Sequence, residues 1–164
     1  MTAKKDFTEE EWKQLLKAPT AVGLYIMMAD PNFLIGTMKE ALTISTEIIK
    51  REKAENSELL SALLAEFHDK DMAKQARIEF EKKDVEAIRQ AAWDALQKAV
   101  QILEKKATPE ESAEIRQWLY DLARKTAEAA REGGFLGFGG TKVSEKEKKA
   151  LAELKELLKP ARAE

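Results

Sequence analysis

The chain of 164 residues contains no cysteine and only one histidine, His68. The absence of cysteine excludes disulfide bonds, thiolate catalysis and cysteine metal sites. A ferritin-like metal site needs two Glu-x-x-His pairs, and position 65, three residues before His68, is alanine. There is also no Gly-x-Ser-x-Gly nucleophile motif. We therefore predict no catalytic residue, no metal site and no cofactor. This argues against an enzyme, although carboxylates alone can catalyse some reactions.

The chain also lacks an excess of charge of one sign and lacks a long apolar run. It has 28 Lys and Arg against 30 Asp and Glu, a net charge of −2, which gives no support to a nucleic-acid partner. The longest apolar run is the nine residues 21–29, whereas a membrane span needs about 20. The N-terminal residues lack the apolar core of a signal peptide. These features predict a cytoplasmic protein with no membrane span.

What the sequence does contain is a set of helix-capping residues, which predicts an all-α protein. Three N-cap residues are followed three positions later by glutamate, the spacing of a capping box: Thr8 and Glu11, Thr108 and Glu111, Ser144 and Glu147. Phe7 and Trp12 flank the first of these as a hydrophobic staple. Ser57 (or Asn56) and Asp84 are further N-cap candidates.

Proline positions and apolar periodicity predict a compact single-domain bundle of about seven to eight helices. Pro19 should separate a first helix, 9–18, from an apolar second helix, 19–29, that is buried at the centre. Amphipathic helices are expected at 31–52, 85–106, 109–131 and after Ser144, with shorter ones at 57–67 and 69–83. The domain would span residues 1–164, with frayed tails at 1–6 and 160–164.

Each long helix has an apolar face at helical spacing. On the helix at 85–106 the face comprises Ile88, Ala92, Ala95, Ala99 and Leu103. On the next helix it comprises Ile115, Leu119, Leu122, Thr126 and Ala129. Ile44, on the helix at 31–52, and Tyr120, on the helix at 109–131, lie off the apolar faces of their own helices, so we expect them to be exposed. Thr126 should bond back to a carbonyl of its own helix.

The segment Gly133-Gly134-Phe135-Leu136-Gly137-Phe138-Gly139-Gly140 is the candidate functional segment, because it holds five of the seven glycines. In one interpretation Gly133 or Gly134 caps a helix, and Phe135, Leu136 and Phe138 fill the core. In a second, Thr141 and Lys142 belong to an anion cradle at the start of the last helix. In a third, the three apolar side chains form an exposed contact for a partner.

Three stretches together resemble a family of small, all-helical bacterial proteins of unknown function. They are Phe7-Thr8-Glu9-Glu10-Glu11-Trp12, the step from Ala18-Pro19 to Asp30-Pro31, and the glycine-rich segment with Val143-Ser144-Glu145. The similarity covers both ends of the chain and is thin between about residues 53 and 107. It implies a single all-α domain, and it implies no activity, cofactor or catalytic residue.

The function that these features favour is that of a non-catalytic cytoplasmic interaction or accessory protein. It would act on a protein partner, or on a second copy of itself, through a helical face or the glycine-rich segment. The alternative is a binder of a small molecule or anion, which would use an apolar pocket near Met27, Met28 and Trp118 or the residues Thr141 and Lys142.

Overall fold

The computed structural model describes residues 1–29, 49, 57–67, 69, 71, 74, 77–81, 84–132 and 143–160. These residues form helices and connecting segments, and no strand occurs among them. A short 3₁₀ helix at Lys4–Asp6 precedes the first α-helix. The α-helices are α1 (Glu9–Met27), α2 (Glu58–Glu66), α3 (Val85–Lys106), α4 (Pro109–Glu132) and α5 (Glu145–Leu158). The prediction of an all-α protein is confirmed.

The described part of the chain has five α-helices, fewer than the seven to eight that we expected. One cause is Pro19, which lies inside α1 and does not end a helix. A proline within a helix has no N–H for the carbonyl four residues earlier, here that of Leu15. Burial of apolar side chains on both sides of Pro19 offsets this loss, since Leu16, Ala18, Ala21 and Val22 are all buried. The expected apolar second helix is therefore the buried C-terminal half of α1.

The predicted helix caps are confirmed at the atomic level. The Thr8 Oγ1 accepts a hydrogen bond from the N–H of Glu11, and the Glu11 carboxylate accepts one from the N–H of Thr8. The same reciprocal bonds join Ser144 to Glu147 at the start of α5. Ser57 and Asp84 cap α2 and α3 through their side-chain oxygens. Local sequence thus fixes where these helices begin.

The core forms where α1 packs against α3 and α4, and where α4 packs against α5. The predicted face of α3 is buried in full, and that of α4 is buried from Ile115 to Thr126. Tyr120, predicted to be exposed, is only 5% exposed, because α4 contacts α1, α2, α3 and α5 and buries more than one stripe. The Oγ1 of Thr126 has no hydrogen-bond partner in the structure described, so the expected bond to its own helix is wrong.

Several predictions fall outside the described residues. They concern the helix at 31–52 apart from Ile49, which is buried, together with Ile44, His68, the glycine-rich segment and the tail at 161–164. Within the predicted N-terminal tail, residues 4–6 form the exposed 3₁₀ helix, whereas Thr2 is buried.

Candidate functional site

The residues predicted to contact a partner or ligand, Phe135, Leu136, Phe138, Thr141 and Lys142, lie outside the described part of the chain. Their flanking helices are described. The segment joins α4 to α5, and these two helices pack against each other. Met27, Met28 and Trp118, proposed to line an apolar pocket, are all buried among the core side chains.

A surface cavity of about 710 Å³ lies at the N-terminal end of α1. We call it the N-terminal depression, and it is lined by Lys4, Lys5, Phe7, Thr8, Glu9, Trp12 and Lys13. The rings of Phe7 and Trp12 pack with their centroids 5.6 Å apart, as the predicted staple requires. Both rings are buried below the surface. The depression therefore combines an aromatic base with lysine side chains at its edge.

The lysines of the N-terminal depression take part in weak surface interactions. The Nζ of Lys4 lies 5.5 Å from the centroid of the Trp12 ring and pairs with Glu66. Lys13 pairs with Glu9 at 2.7 Å across one helical turn. Ion pairs at exposed positions contribute only about 0–1 kcal/mol, because water screens them. A carboxylate from another molecule could therefore replace Glu9, which is exposed, as the partner of Lys13 with little loss.

A second polar cluster joins three helices through Tyr25 of α1, Arg89 of α3 and Glu153 of α5. The Tyr25 hydroxyl donates a hydrogen bond to Glu153 Oε2 at 2.5 Å and accepts one from Arg89 Nη2 at 3.0 Å. Arg89 Nη2 also donates to Glu153 Oε2 at 2.6 Å. Burial and the hydrogen bond to Glu153 raise the pKa of Tyr25 to about 12. The hydroxyl therefore stays protonated and acts as a structural donor.

Aromatic contacts enclose this cluster. The rings of Tyr25 and Trp93 have centroids 5.2 Å apart, and the guanidinium of Arg89 lies 4.7 Å from the centroid of the Tyr25 ring. A guanidinium over an aromatic face gains from the ring quadrupole. The Tyr25 cluster has one cation, one carboxylate and one hydroxyl, all bonded to each other, which is the chemistry of a structural bridge between helices.

A third polar group anchors the N-terminal segment to the turn between α3 and α4. Glu111 is 5% exposed, and its carboxylate accepts hydrogen bonds from the Thr2 N–H at 2.8 Å, the Thr2 hydroxyl at 2.6 Å and the Thr108 N–H at 3.1 Å. Burial acts to raise the pKa of Glu111. These hydrogen bonds outweigh burial and lower the pKa to about 2. We call Thr2, Thr108 and Glu111 the N-terminal anchor.

Sequence reasoning identified parts of these groups but not their assembly. The capping box of Thr108 and Glu111 and the staple of Phe7 and Trp12 were predicted from local spacing. The contact of Thr2 with Glu111 joins residues 109 positions apart and leaves no local signal. The lysines of the N-terminal depression could have been noticed, since Lys4 and Lys5 lie three and two residues before Phe7 of the staple.

Comparison of the chain with protein-family models, with curated proteins and with solved structures found no match. The resemblance to the small bacterial family therefore stays a prediction. In the described ranges, no three His, Cys, Asp or Glu side chains are grouped so that they could hold a metal ion. None of the helices described above is both long enough and apolar enough to cross a membrane.

Proposed function

We propose that this chain is a non-catalytic cytoplasmic interaction protein that binds an acidic segment of a protein partner at the N-terminal depression. The observation that carries the proposal is the depression itself, a cavity of about 710 Å³ that places Lys4, Lys5 and Lys13 around Phe7 and Trp12. Such a surface suits a peptide in which carboxylates flank an apolar side chain.

The chemistry of the other polar groups supports a binding role. Tyr25, Arg89 and Glu153 are bonded to each other, and Glu111 is bonded to Thr2 and Thr108. These buried and half-buried groups hold helices together, whereas Lys13 of the depression pairs with an exposed glutamate that another carboxylate could replace. In this proposal the partner contacts the first turn of α1 and the segment before it.

A direct test uses a synthetic glutamate-rich peptide with one phenylalanine as the probe. Nuclear magnetic resonance of isotope-labelled protein should show shifts of the Trp12 indole N–H and the Lys5 amide on titration. Reversal of charge at Lys4, Lys5 and Lys13 to Glu should weaken binding by about tenfold or more, because each lost attraction near a surface is worth of order 1 kcal/mol.

The matched control reverses three exposed lysines away from the depression, Lys98, Lys105 and Lys149, which changes the net charge equally. If both triple variants lose affinity to the same extent, binding follows net charge and the assignment to the depression is wrong. Shifts confined to α5, with Trp12 unchanged, would also contradict it.

The glycine-rich segment is a second contact in this proposal. Among the described residues the only exposed large apolar side chain is Met1, so any further apolar contact has to be sought outside them. The sequence has three large apolar residues there, Phe135, Leu136 and Phe138, which is the support for placing a partner or a second copy of the chain at this segment. Replacement of Phe135 and Phe138 by Ser should abolish capture of the partner and leave the melting temperature nearly unchanged. A large fall in melting temperature would favour the core-filling interpretation.

The alternative function is the binding of a small molecule or anion, and the size of the depression favours it. Ligand cavities typically measure about 300–1,000 Å³. Thr141 and Lys142 are the proposed anion contacts of the glycine-rich segment. Native mass spectrometry of freshly purified protein separates the two functions. A retained small molecule that is lost in the triple lysine variant supports the alternative, whereas an unliganded mass together with peptide binding supports the interaction protein.

The single domain and the family membership, both predicted from the sequence, are part of the same proposal. The support for a single domain over residues 1–164 is the packing of α1, from the first half of the chain, with α3, α4 and α5, which all lie in the second half. The support for membership of the small bacterial family is the set of quoted motifs, of which the capping box at Thr8 and the staple have the geometry that a helix start requires.

A further inference from the structure

The three lysines of the N-terminal depression differ in how their charges are paired. Lys4 pairs with Glu66, whose side chain is 16% exposed. Lys13 pairs with Glu9 at 2.7 Å, and the side chain of Glu9 is 77% exposed. Lys5 is exposed and forms no ion pair within the part of the chain that the structure describes. A carboxylate from a partner therefore reaches Lys5 directly, whereas it reaches Lys13 only in competition with Glu9.

The helix cap leaves the Glu9 carboxylate available to Lys13. Glu9 is the first residue of α1, but the reciprocal bonds of the capping box are made by Thr8 and Glu11. The Glu9 carboxylate accepts a hydrogen bond from the Nζ of Lys13. Among the described residues that line the depression, Glu9 is the only acidic one. Its carboxylate therefore lies where the carboxylate of an acidic partner would bind.

Glu9 has an advantage over a carboxylate from another molecule. It lies four residues before Lys13, a spacing at which side chains on a helix surface are neighbours. A group tethered so close to its partner has a high effective concentration there. The hydrogen bond from Lys13 also lowers the pKa of Glu9, so the carboxylate is charged at neutral pH. When a partner's carboxylate replaces Glu9, one ion pair is lost for the one gained, and the exchange adds little affinity.

We propose that Glu9 is a specificity-determining residue of the N-terminal depression, where it acts as an internal competitor for Lys13. The inference rests on the proposed function, because it concerns how the acidic segment of a partner is recognised. A segment with one carboxylate binds through Lys5 and leaves the pair of Glu9 and Lys13 intact. A segment with two carboxylates has to displace Glu9, so its second carboxylate adds little affinity while Glu9 is present.

The test uses two synthetic peptides of equal length, each with one phenylalanine, of which one carries a single glutamate and the other carries two. Titration calorimetry measures the Kd of both for the unsubstituted protein and for Glu9→Gln. The substitution should tighten binding of the two-glutamate peptide by about three- to tenfold, because Lys13 becomes available to its second carboxylate. The single-glutamate peptide should gain less than about twofold, since it binds through Lys5 in either protein. Equal gains for the two peptides overturn the proposal.

Glu145→Gln is the matched control. Glu145 is the first residue of α5, follows the N-cap Ser144 and pairs with Lys148 at 2.6 Å, so its local chemistry is that of Glu9. It does not line the depression, and its substitution changes the net charge equally. The affinity for the two-glutamate peptide should change by less than about twofold, because salt screens exposed charges beyond about 8 Å. A gain equal to that of Glu9→Gln shows an effect of net charge and overturns the proposal.

A double-mutant cycle with Lys13→Gln separates competition for Lys13 from simple repulsion by Glu9. If Glu9 acts by occupying Lys13, its removal has little effect once the lysine is gone. The gain from Glu9→Gln should therefore fall below about twofold in the Lys13→Gln protein. A gain that persists at full size in that protein shows that Glu9 merely repels the peptide, and it overturns the proposal.

The same titrations distinguish failure of this inference from failure of the proposed function. If the unsubstituted protein binds the peptides with a shift of the Trp12 indole N–H, and Glu9→Gln gives no gain, the function stands and the role of Glu9 is wrong. If neither peptide binds the unsubstituted protein or Glu9→Gln, the proposed function is wrong and the role of Glu9 falls with it.

Discussion

Replacement of Glu111 by Gln should be among the most destabilising changes of a single functional group in this protein. The substitution keeps the size of the side chain and removes its charge. It also turns one acceptor oxygen into an NH₂ group, which then faces a donor of Thr2 or Thr108.

The magnitude follows from the bonding of the carboxylate in two ways. A hydrogen bond to a charged group contributes about 1.5–3 kcal/mol against about 0.5–1.5 for a neutral one, and three such bonds are weakened or lost. Separately, the pKa of Glu111 falls from an ordinary value of 4.5 to about 2 on folding. At 1.36 kcal/mol per unit, this difference corresponds to roughly 3 kcal/mol. Both routes give a loss of about 3 kcal/mol in the free energy of unfolding at pH 7.

The pH dependence of stability gives a second expectation. Because folding lowers the pKa of Glu111, its stabilising contribution is complete above about pH 4.5 and is lost as the pH falls toward 2. The unsubstituted protein should lose stability steeply in this range. The Glu111→Gln variant has no carboxylate at this position, so its stability should change less between pH 4.5 and 2.

Urea unfolding at several pH values, followed by circular dichroism, measures both the loss in the free energy of unfolding and its pH dependence. A loss of about 3 kcal/mol should lower the melting temperature by roughly 6–12 °C in a chain of this size. Glu110→Gln is the matched control, because Glu110 is exposed in the same helical turn. We expect the control to lose no more than about 0.5–1 kcal/mol, the contribution of a charge near a helix N-terminus. If the two variants lose equal stability, or the Glu111→Gln variant keeps the full acid slope, the reasoning about the anchor is wrong.

Two further variants test other parts of the fold. Tyr25→Phe removes the hydroxyl bonded to Glu153 and Arg89 and should reduce the free energy of unfolding by about 1–2 kcal/mol. Tyr120 is equally buried and serves as the control. Tyr120→Phe should reduce the free energy of unfolding by less than half as much. Pro19→Ala should stabilise α1 by about 1–2 kcal/mol, since an interior proline is about 3 kcal/mol worse than alanine in a helix and restriction of the unfolded chain recovers about 1. Thermal unfolding measures both, and a lower melting temperature for Pro19→Ala would show that packing of the proline ring outweighs the missing bond.

Local sequence predicted the starts of the helices well, because capping depends on residues only three positions apart. Thr8, Ser57, Asp84, Thr108 and Ser144 all accept or donate the expected bonds. The end of α1 could not be predicted in this way. Whether a proline breaks a helix depends on how much surface the flanking turns bury, and that depends on helices distant in sequence.

The polar groups likewise divide into contacts that local sequence predicts and contacts that it does not. The carboxylate of Glu111 was correctly placed in a capping box from its spacing to Thr108. Its bonds to Thr2, and the meeting of Tyr25 with Arg89 and Glu153, join residues 64 to 128 positions apart. No local pattern encodes such contacts, because each residue alone is compatible with an exposed helix surface. Only the packing of α1 against α3 and α5 brings the residues of the Tyr25 cluster together.

The small side chains on the buried face of α3 limit which substitutions this protein can accept during evolution. Ala92 and Ala99 are fully buried at its contact with the rest of the core. A larger residue there would force neighbouring side chains out of their preferred rotamers, at about 1–3 kcal/mol, and glycine would weaken the helix by about 1. Substitution of these alanines by a larger residue or by glycine is therefore disfavoured. Relatives of this chain should be recognisable by invariant alanines at this spacing even where their surfaces have diverged completely.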